Sequence, residues 1–104
     1  MLIELTAEEV QAQLKSGEAI LVDVREPAEY EDERIPGAFL MPLGLLHGDQ
    51  FPAPSNTRII LMCHLGGRSA QAADMLMQSG HKTVHHLGGG IEAWKAAGLK
   101  TQVY

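Results

Sequence analysis

The chain has 104 residues, enough for one domain with a single hydrophobic core. It is 45% hydrophobic and 20% charged, as folded globular domains are, and no apolar run reaches the roughly 18 residues that a membrane span requires. A formal net charge of -5, with only 8 Lys and Arg spread along the chain, disfavours nucleic-acid binding. We therefore expect neither a nucleic-acid partner nor a membrane partner.

The N-terminal segment predicts two strands with a capped helix between them. Leu2 to Leu5 is a short apolar run typical of an edge strand. Thr6 followed by Glu9 forms a capping-box pattern that starts a helix running to about Ser16. The apolar run Ala19 to Val24 is interrupted by a single aspartate, a pattern typical of a strand covered on both faces.

The middle of the chain predicts shorter elements. Pro27 to Glu33 is acidic, begins with proline and predicts a short helix, whose run from Glu29 we interpret as a solvated face. Ile35-Pro36-Gly37 is a turn signal, and Ala38 to Met41 is a short strand candidate. The segment after it is rich in Gly and Pro, with one helical turn predicted around Leu43 to His47.

The second half repeats the alternation of strand and helix. Thr57 to Met62 predicts a central strand, Arg68 to Ser79 a helix and Lys82 to His86 a further strand. Gly88-Gly89-Gly90 predicts a tight turn, with an anion cradle as the alternative, and leads into a helix from Ile91 to Ala97.

This alternation predicts a three-layer α/β/α fold of about five mostly parallel strands with helices on both faces. No linker interrupts the chain, so we expect residues 1–104 to form a single domain. Ligands of open parallel sheets bind beyond the carboxyl ends of the strands. Cys63, the single cysteine, follows a predicted strand at that end.

The residues after Cys63 suit a reactive thiol. Gly66 and Gly67 allow a tight turn whose amides point inward, and the following helix start and Arg68 add positive potential. His64 can supply a proton or a charge near neutral pH. Such surroundings lower the pKa of a thiol and favour the nucleophilic thiolate. The pattern thus indicates a cysteine nucleophile for a small anionic substrate; the alternative is a buried cysteine beside an ordinary turn.

Three stretches of the chain together resemble the single-domain rhodaneses, a sulfurtransferase family. These stretches are Cys63 to Ser69; Leu21 to Pro27 with Glu29-Tyr30 and Ile35 to Ala38; and Leu87 to Ile91 continuing to Trp94 and Gly98. One departure is visible, because Glu33 and Arg34 occupy the positions where the family commonly has a Gly-His pair.

The resemblance implies a sulfur relay without a metal or an organic cofactor. Cys63 would attack a small anionic donor such as thiosulfate, carry the sulfur as a persulfide and pass it to cyanide, a thiol or a thioredoxin-like acceptor. The substrate would be held by the loop residues His64, Leu65, Gly66, Gly67, Arg68 and Ser69. Asp23 and Arg25, at the end of a central strand, would form a charge pair supporting this loop or an ordinary polar surface pair.

Two other functions remain open. Cysteine-based phosphatases and arsenate reductases resemble this fold, but their loop is one residue longer than the four residues between Cys63 and Arg68. Some rhodanese-like domains are binding modules without catalysis, typically where the cysteine is missing.

The histidines do not predict a metal site. His85 and His86 are adjacent on a predicted strand and point to opposite faces, and no spacing matches a zinc pattern. We expect the histidines other than His64 at surface or strand-end positions. The single cysteine and the lack of a signal-peptide pattern favour a cytoplasmic location, and the chain length favours a monomer.

Overall fold

The architecture was obtained as a computed structural model, which describes residues 1–46 and 57–103. Strands and helices alternate along the chain. Their bounds are β1 Leu2–Leu5, α1 Ala7–Ser16, β2 Ala19–Asp23, α2 Pro27–Asp32, β3 Phe39–Leu40, a 3-10 turn Leu43–Leu45, β4 Arg58–Met62, α3 Gly67–Gln78, β5 Val84–Leu87 and α4 Gly90–Ala96.

The five strands form one parallel sheet in the order β1-β5-β4-β2-β3. The strands β5, β4 and β2 are therefore interior, and β1 is an edge strand as predicted. This arrangement confirms the predicted α/β fold of about five parallel strands with helices on both faces. All carboxyl ends of the strands meet at one edge of the sheet, where the loop after β4 begins.

The first helix follows its local sequence signals. The Glu9 amide donates to the Thr6 hydroxyl at 3.2 Å, and the Thr6 amide donates to the Glu9 carboxylate at 2.9 Å. Gly17 ends the helix in the left-handed conformation, with φ 79°. The predicted capping box and helix bounds are confirmed.

Two predicted elements differ in their bounds. The strand predicted from Lys82 begins at Val84, because the register of β1 pairs Leu2 with Val84 and leaves no partner strand residue for earlier positions. The strand predicted over residues 38–41 is limited to the two residues that pair with β2. The helical turn predicted around Leu43 to His47 is a 3-10 turn over Leu43–Leu45, and His47 lies outside the described residues.

The sheet separates two apolar clusters, because successive strand residues point to opposite faces. On one face Leu21 and Ile60 pack with α1 and α4, including Trp94, which is buried in the core as predicted. On the other face Leu61 and Cys63 pack with α3. Among the described residues, no helix is long and apolar enough to cross a bilayer.

Candidate active site

Cys63 lies directly after β4, on the face of the sheet that α3 covers, and it is only 1% exposed. Its sulfur accepts hydrogen bonds from the backbone amides of Gly66 at 3.0 Å and Ser69 at 3.3 Å. The Ser69 hydroxyl lies 3.6 Å from the same sulfur. The thiol therefore sits inside a ring of donors that the following seven-residue segment, 63–69, wraps around it. We refer to residues 63–69 as the cysteine loop.

Gly66 makes this wrapping possible. It precedes the first residue of α3 and has φ 108°, a left-handed conformation that side chains other than glycine rarely adopt. The reversal at Gly66 turns its own amide, and then those of the first helical turn, toward the sulfur. Successive inward amides of this kind form an anion-binding concavity. The concavity predicted from the two glycines is thus present, although only Gly66 has a positive φ.

The surroundings of Cys63 favour its thiolate. Burial raises the pKa of the thiol, because it penalises the charged form. Hydrogen bonds from the amide and hydroxyl of Ser69 and from the amides of Gly66 and Arg68 outweigh burial and hold the pKa below its ordinary value. The stabilisation comes from fixed dipoles in the loop, which need no rearrangement when the charge forms.

The first turn of α4 fixes the cysteine loop from the opposite side. The Ile91 amide donates to the Cys63 carbonyl at 2.8 Å, and the Glu92 amide donates to the His64 carbonyl at 3.3 Å. Gly90 lies so close that a Cβ there would be 2.4 Å from both carbonyl oxygens. The Gly88-Gly89-Gly90 segment is therefore a tight turn, and the helix amides after it are used by the loop backbone rather than by an anion.

Arg68 points its guanidinium at α2. Nη1 and Nη2 donate to the two carboxylate oxygens of Glu29 at 2.6 and 2.9 Å. The hydrogen bond from Arg68 lowers the pKa of Glu29 to about 2, and the pair raises the pKa of Arg68. The interpretation of Glu29 as part of a solvated face is wrong, because its carboxylate binds the loop arginine.

The side chains of His64 and Leu65 lie on the outer surface of the loop. His64 Nε2 is 3.0 Å from Glu92 Oε2, and both side chains are nearly half exposed. Leu65 is 66% exposed. These two residues and Gly67 contribute to the site through the backbone path that they provide or through surface contacts with a substrate, a role that stays a prediction.

Asp23 and Arg25 form a buried charge pair. Asp23 is 0% and Arg25 4% exposed, and the guanidinium contacts the carboxylate through Nε at 3.0 Å and Nη2 at 2.8 Å. Nη2 also donates to the Glu33 carbonyl at 2.7 Å, just after α2. The alternative of a polar surface pair is wrong, and support for the cysteine loop would pass through α2, which carries Glu29.

His86 is a site residue that the sequence analysis missed. It is 3% exposed rather than at the surface, and its Nδ1 lies 2.8 Å from the Ser69 hydroxyl. Alternation predicted that His85 and His86 face opposite sides but not which of them faces α3. A usable signal existed, because a polar side chain within an interior parallel strand requires a buried partner.

The Glu33-Arg34 departure from the family pattern attaches the C-terminal segment. The Glu33 carboxylate accepts from Lys95 Nζ at 3.0 Å and from the Thr101 hydroxyl. Arg34 and Gln102 exchange backbone hydrogen bonds at 2.9 and 2.7 Å. Within residues 1–46 and 57–103, no group of three or more His, Cys, Asp or Glu side chains could hold a metal ion.

The fold and the loop together define a class of protein: an α/β domain with a cysteine in an amide-lined loop at the carboxyl end of a parallel strand. The rhodanese-like domain family model matches residues 6–97. The chain belongs to the rhodanese-like domain family.

Relatives of known sequence agree with this assignment. A sulfurtransferase of Allochromatium vinosum is 37% identical over 100 residues, covering 95% of this chain and 94% of that protein. An uncharacterized protein of Synechocystis sp. is 42% identical over 90 residues, covering 86% of this chain. The chain spans 50% of the length of the Synechocystis protein.

Solved structures share the fold. The rhodanese-like domain of an Anabaena sp. protein matches with a TM-score of 0.84 at 29% identity, covering 100% of this chain and 81% of that one. A thiosulfate sulfurtransferase of Pseudomonas aeruginosa matches with 0.82 at 33% identity, covering 98% of this chain and 20% of that one. A Rhodopseudomonas palustris protein of unknown function, described as a possible tyrosine phosphatase, matches with 0.83 at 33% identity, covering 97% and 85%. The family and its sulfurtransferase-named members support sulfurtransferase activity.

Proposed function

We propose that this domain transfers a sulfane sulfur from a small anionic donor such as thiosulfate to cyanide or a thiol through a persulfide on Cys63. In the first step the Cys63 thiolate attacks the outer sulfur of thiosulfate. A sulfur–sulfur bond forms on Cys63, the donor's own sulfur–sulfur bond breaks, and sulfite leaves with the electron pair. In the second step cyanide or a thiolate attacks the outer sulfur of the persulfide, and the Cys63 thiolate is regenerated.

The observation that carries this proposal is the ring of donors around the Cys63 sulfur. The amides of Gly66 and Ser69 lie 3.0 and 3.3 Å from it, and these donors lower the pKa of the thiol. A low pKa gives the nucleophile that the first step needs at neutral pH. The same inward amides suit the anionic outer sulfur of a persulfide, so the charge stays stabilised after the first step.

Two features favour sulfur over phosphate as the cargo. Only four residues separate Cys63 from Arg68, and Cys63 is 1% exposed, so the loop encloses a small volume around the sulfur. The Arg68 fork is engaged by Glu29 at 2.6 and 2.9 Å, so two of its donors are unavailable to a tetrahedral dianion. Both features suit a single transferred sulfur atom.

The test is the intact mass of the protein before and after incubation with thiosulfate. We expect a gain of one sulfur atom, lost on addition of cyanide with release of thiocyanate. The chain has one cysteine, so Cys63→Ser is a matched control that should gain nothing while keeping the far-ultraviolet circular dichroism of the parent. An equal gain in Cys63→Ser would overturn the assignment of the site.

Two outcomes would favour the other functions. Hydrolysis of an aryl phosphate faster than sulfur transfer would indicate a phosphatase. Absence of any persulfide together with a tightly bound protein partner would indicate a binding module. A persulfide relay needs a free thiol, which is why we propose a reducing, cytoplasmic setting. We also propose that the domain acts as a monomer and that a thioredoxin-like protein is among its acceptors.

A further inference from the structure

A line of polar groups connects the buried thiol to solvent. Cys63 Sγ lies 3.6 Å from the Ser69 hydroxyl, which lies 2.8 Å from Nδ1 of His86. On the other side of the imidazole, Nε2 lies 3.3 Å from a carboxylate oxygen of Glu4. Ser69 and His86 are buried, whereas the Glu4 side chain is 70% exposed.

The sheet register builds this line. His86 on β5 pairs with Glu4 on β1 and with Leu61 on β4, and paired residues of parallel strands point to the same face. Cys63 follows Leu61 by two positions and therefore lies on that face too. The helix α3 covers the face and brings Ser69 between the sulfur and the imidazole.

Glu4 determines which nitrogen of His86 can exchange its proton. An ionised carboxylate only accepts hydrogen bonds, so Nε2, which faces Glu4, carries a hydrogen. Nδ1 then accepts from the Ser69 hydroxyl when the imidazole is neutral and donates to that hydroxyl when the imidazole is charged. Nδ1 is thus the titrating position, and it faces the side chain that contacts the thiol.

We propose that His86 is a positioning residue that receives the Cys63 proton through the Ser69 hydroxyl and keeps it, as an imidazolium paired with Glu4, while the thiolate reacts. The proposal rests on the proposed function. As the sulfur–hydrogen bond of Cys63 breaks, its proton bonds to Ser69 Oγ, and the former hydroxyl proton bonds to Nδ1. No group is oxidised or reduced, and the result is a thiolate–imidazolium pair bridged by a neutral hydroxyl.

The surroundings of the imidazole suit this role. The adjacent strand β4 contributes Leu61, and α3 contributes Ala72 and Ala73 to the same apolar cluster. Within the described residues, the charged group at contact distance from His86 is Glu4 of β1. An imidazolium in apolar surroundings needs opposite charge nearby, which Glu4 and the Cys63 thiolate supply on its two sides.

Gly88 keeps Glu4 against the strand. A Cβ at Gly88 would lie 2.6 Å from Cγ and 2.7 Å from Cδ of Glu4, so the carboxylate side chain occupies the space that a larger residue would fill. Gly88→Ala would therefore displace the Glu4 side chain without changing any titratable group. This variant perturbs the solvent end of the line and leaves the cysteine loop sequence intact.

The first test is the rate of Cys63 alkylation by iodoacetamide as a function of pH. We expect His86→Gln to move the midpoint upward by about one pH unit, which makes alkylation at neutral pH about tenfold slower. Gly88→Ala should move it in the same direction by less. His85→Gln, one residue away on the opposite face of the sheet, is the matched control and should leave the profile unchanged. An unchanged profile in folded His86→Gln would overturn the proposal.

The second test uses the unmutated chain, so it holds even where His86→Gln fails to fold. Nitrogen and proton NMR shifts report the protonation of the His86 ring before and after Cys63 is blocked with iodoacetamide. We expect the blocked protein to lose His86 protonation at lower pH, because the neutral thioether removes one of the two opposing charges. Identical titration of His86 in both forms would overturn the proposal. Neither test uses a sulfur donor, so failure of the proposed function is separately visible in the thiosulfate mass experiment.

Discussion

The guanidinium of Arg68 and the carboxylate of Glu29 meet through two parallel hydrogen bonds of 2.6 and 2.9 Å. The pair joins the first turn of α3 to the first turn of α2, across 39 positions of sequence. It holds the start of α3 against a second element, and the amides of that start stabilise the Cys63 thiolate. One ion pair thus connects the fold to the chemistry of the loop.

The stability that this pair provides should depend on pH. Because Arg68 lowers the pKa of Glu29 to about 2, Glu29 is ionised in the folded protein at pH values where the unfolded chain binds a proton. Its contribution is fully present above the ordinary pKa of glutamate and is lost as the pH falls through about 2. We expect Glu29→Gln to lower the free energy of unfolding at pH 7 by up to about 1 kcal/mol, since both side chains are about one-third exposed and solvent screens them.

Urea unfolding at pH 7, 4 and 2.5 measures this contribution. The difference between the parent and Glu29→Gln should be largest at pH 7 and should shrink at pH 2.5. Glu31→Gln, an exposed glutamate on the same helix, is the control and should cost little at any of these pH values. An equal loss in both variants would show that Glu29 contributes only general charge.

Much of the fold was predictable because its signals are local. The Thr6–Glu9 capping box involves neighbours in sequence, and the apolar run of β4 followed by Cys63 and two glycines needs no tertiary information. These signals correctly located α1, the central strand and the loop that follows it. The family resemblance extended the same local motifs to a fold and an activity.

The parts of the site that were missed depend on contacts between distant segments. Nothing in the acidic run of α2 indicates that Glu29 rather than its neighbours meets Arg68. Likewise, the choice between His85 and His86 as the inward histidine follows from how β5 pairs with β1 and β4. Register and helix packing decide both, and a single sequence does not determine them.

Gly90 provides a second prediction, on the packing of α4 against the cysteine loop. A Cβ at Gly90 would lie 2.4 Å from the carbonyl oxygens of Cys63 and His64, whereas a Cβ at Gly98 meets nothing within 4 Å. Both glycines have positive φ, 62° and 78°, so alanine at either position adds similar backbone strain of about 1 to 2 kcal/mol. We expect Gly90→Ala to cost roughly 1 to 3 kcal/mol more than Gly98→Ala because the loop must move.

The same pair of variants separates stability from chemistry. Displaced carbonyls shift the cysteine loop, so Gly90→Ala should raise the pKa of Cys63 and slow its alkylation at pH 7, while Gly98→Ala should leave the alkylation rate unchanged. Urea unfolding and iodoacetamide kinetics on both proteins give the two quantities. Equal unfolding free energies and equal alkylation rates would show that the loop does not depend on the close approach of α4.

The buried pair of Asp23 and Arg25 provides a third prediction. Removal of one partner leaves an uncompensated buried charge, so Asp23→Ala should cost about 3 to 5 kcal/mol. The double variant Asp23→Ala with Arg25→Ala should cost less than the sum of the two single changes, which a double-mutant cycle by urea unfolding measures. Glu92→Gln, which removes the exposed pair with His64, is the control and should cost at most about 1 kcal/mol.

Glu33 and Arg34 provide the last prediction, because they occupy the family's usual Gly-His positions and bind the C-terminal segment instead. Hydrogen bonds from Thr101 and Lys95 lower the pKa of Glu33, and the Arg34 guanidinium lies 4.6 Å from the centre of the Tyr30 ring. Restoring the family pair with Glu33→Gly and Arg34→His removes the carboxylate contacts and a cation–π contact that contributes about 0.5 to 1 kcal/mol.

We expect this double variant to unfold at a lower urea concentration, with faster proteolysis of residues 99–103 by an added protease. Because the contacts of Glu33 and Arg34 involve the tail rather than the cysteine loop, the alkylation profile of Cys63 and its gain of sulfur from thiosulfate should match those of the parent. The single variant Arg34→His, which keeps the Glu33 contacts, should lie between the two in stability. A changed thiol pKa in the folded double variant would contradict this separation and would show that the tail attachment extends to the active site.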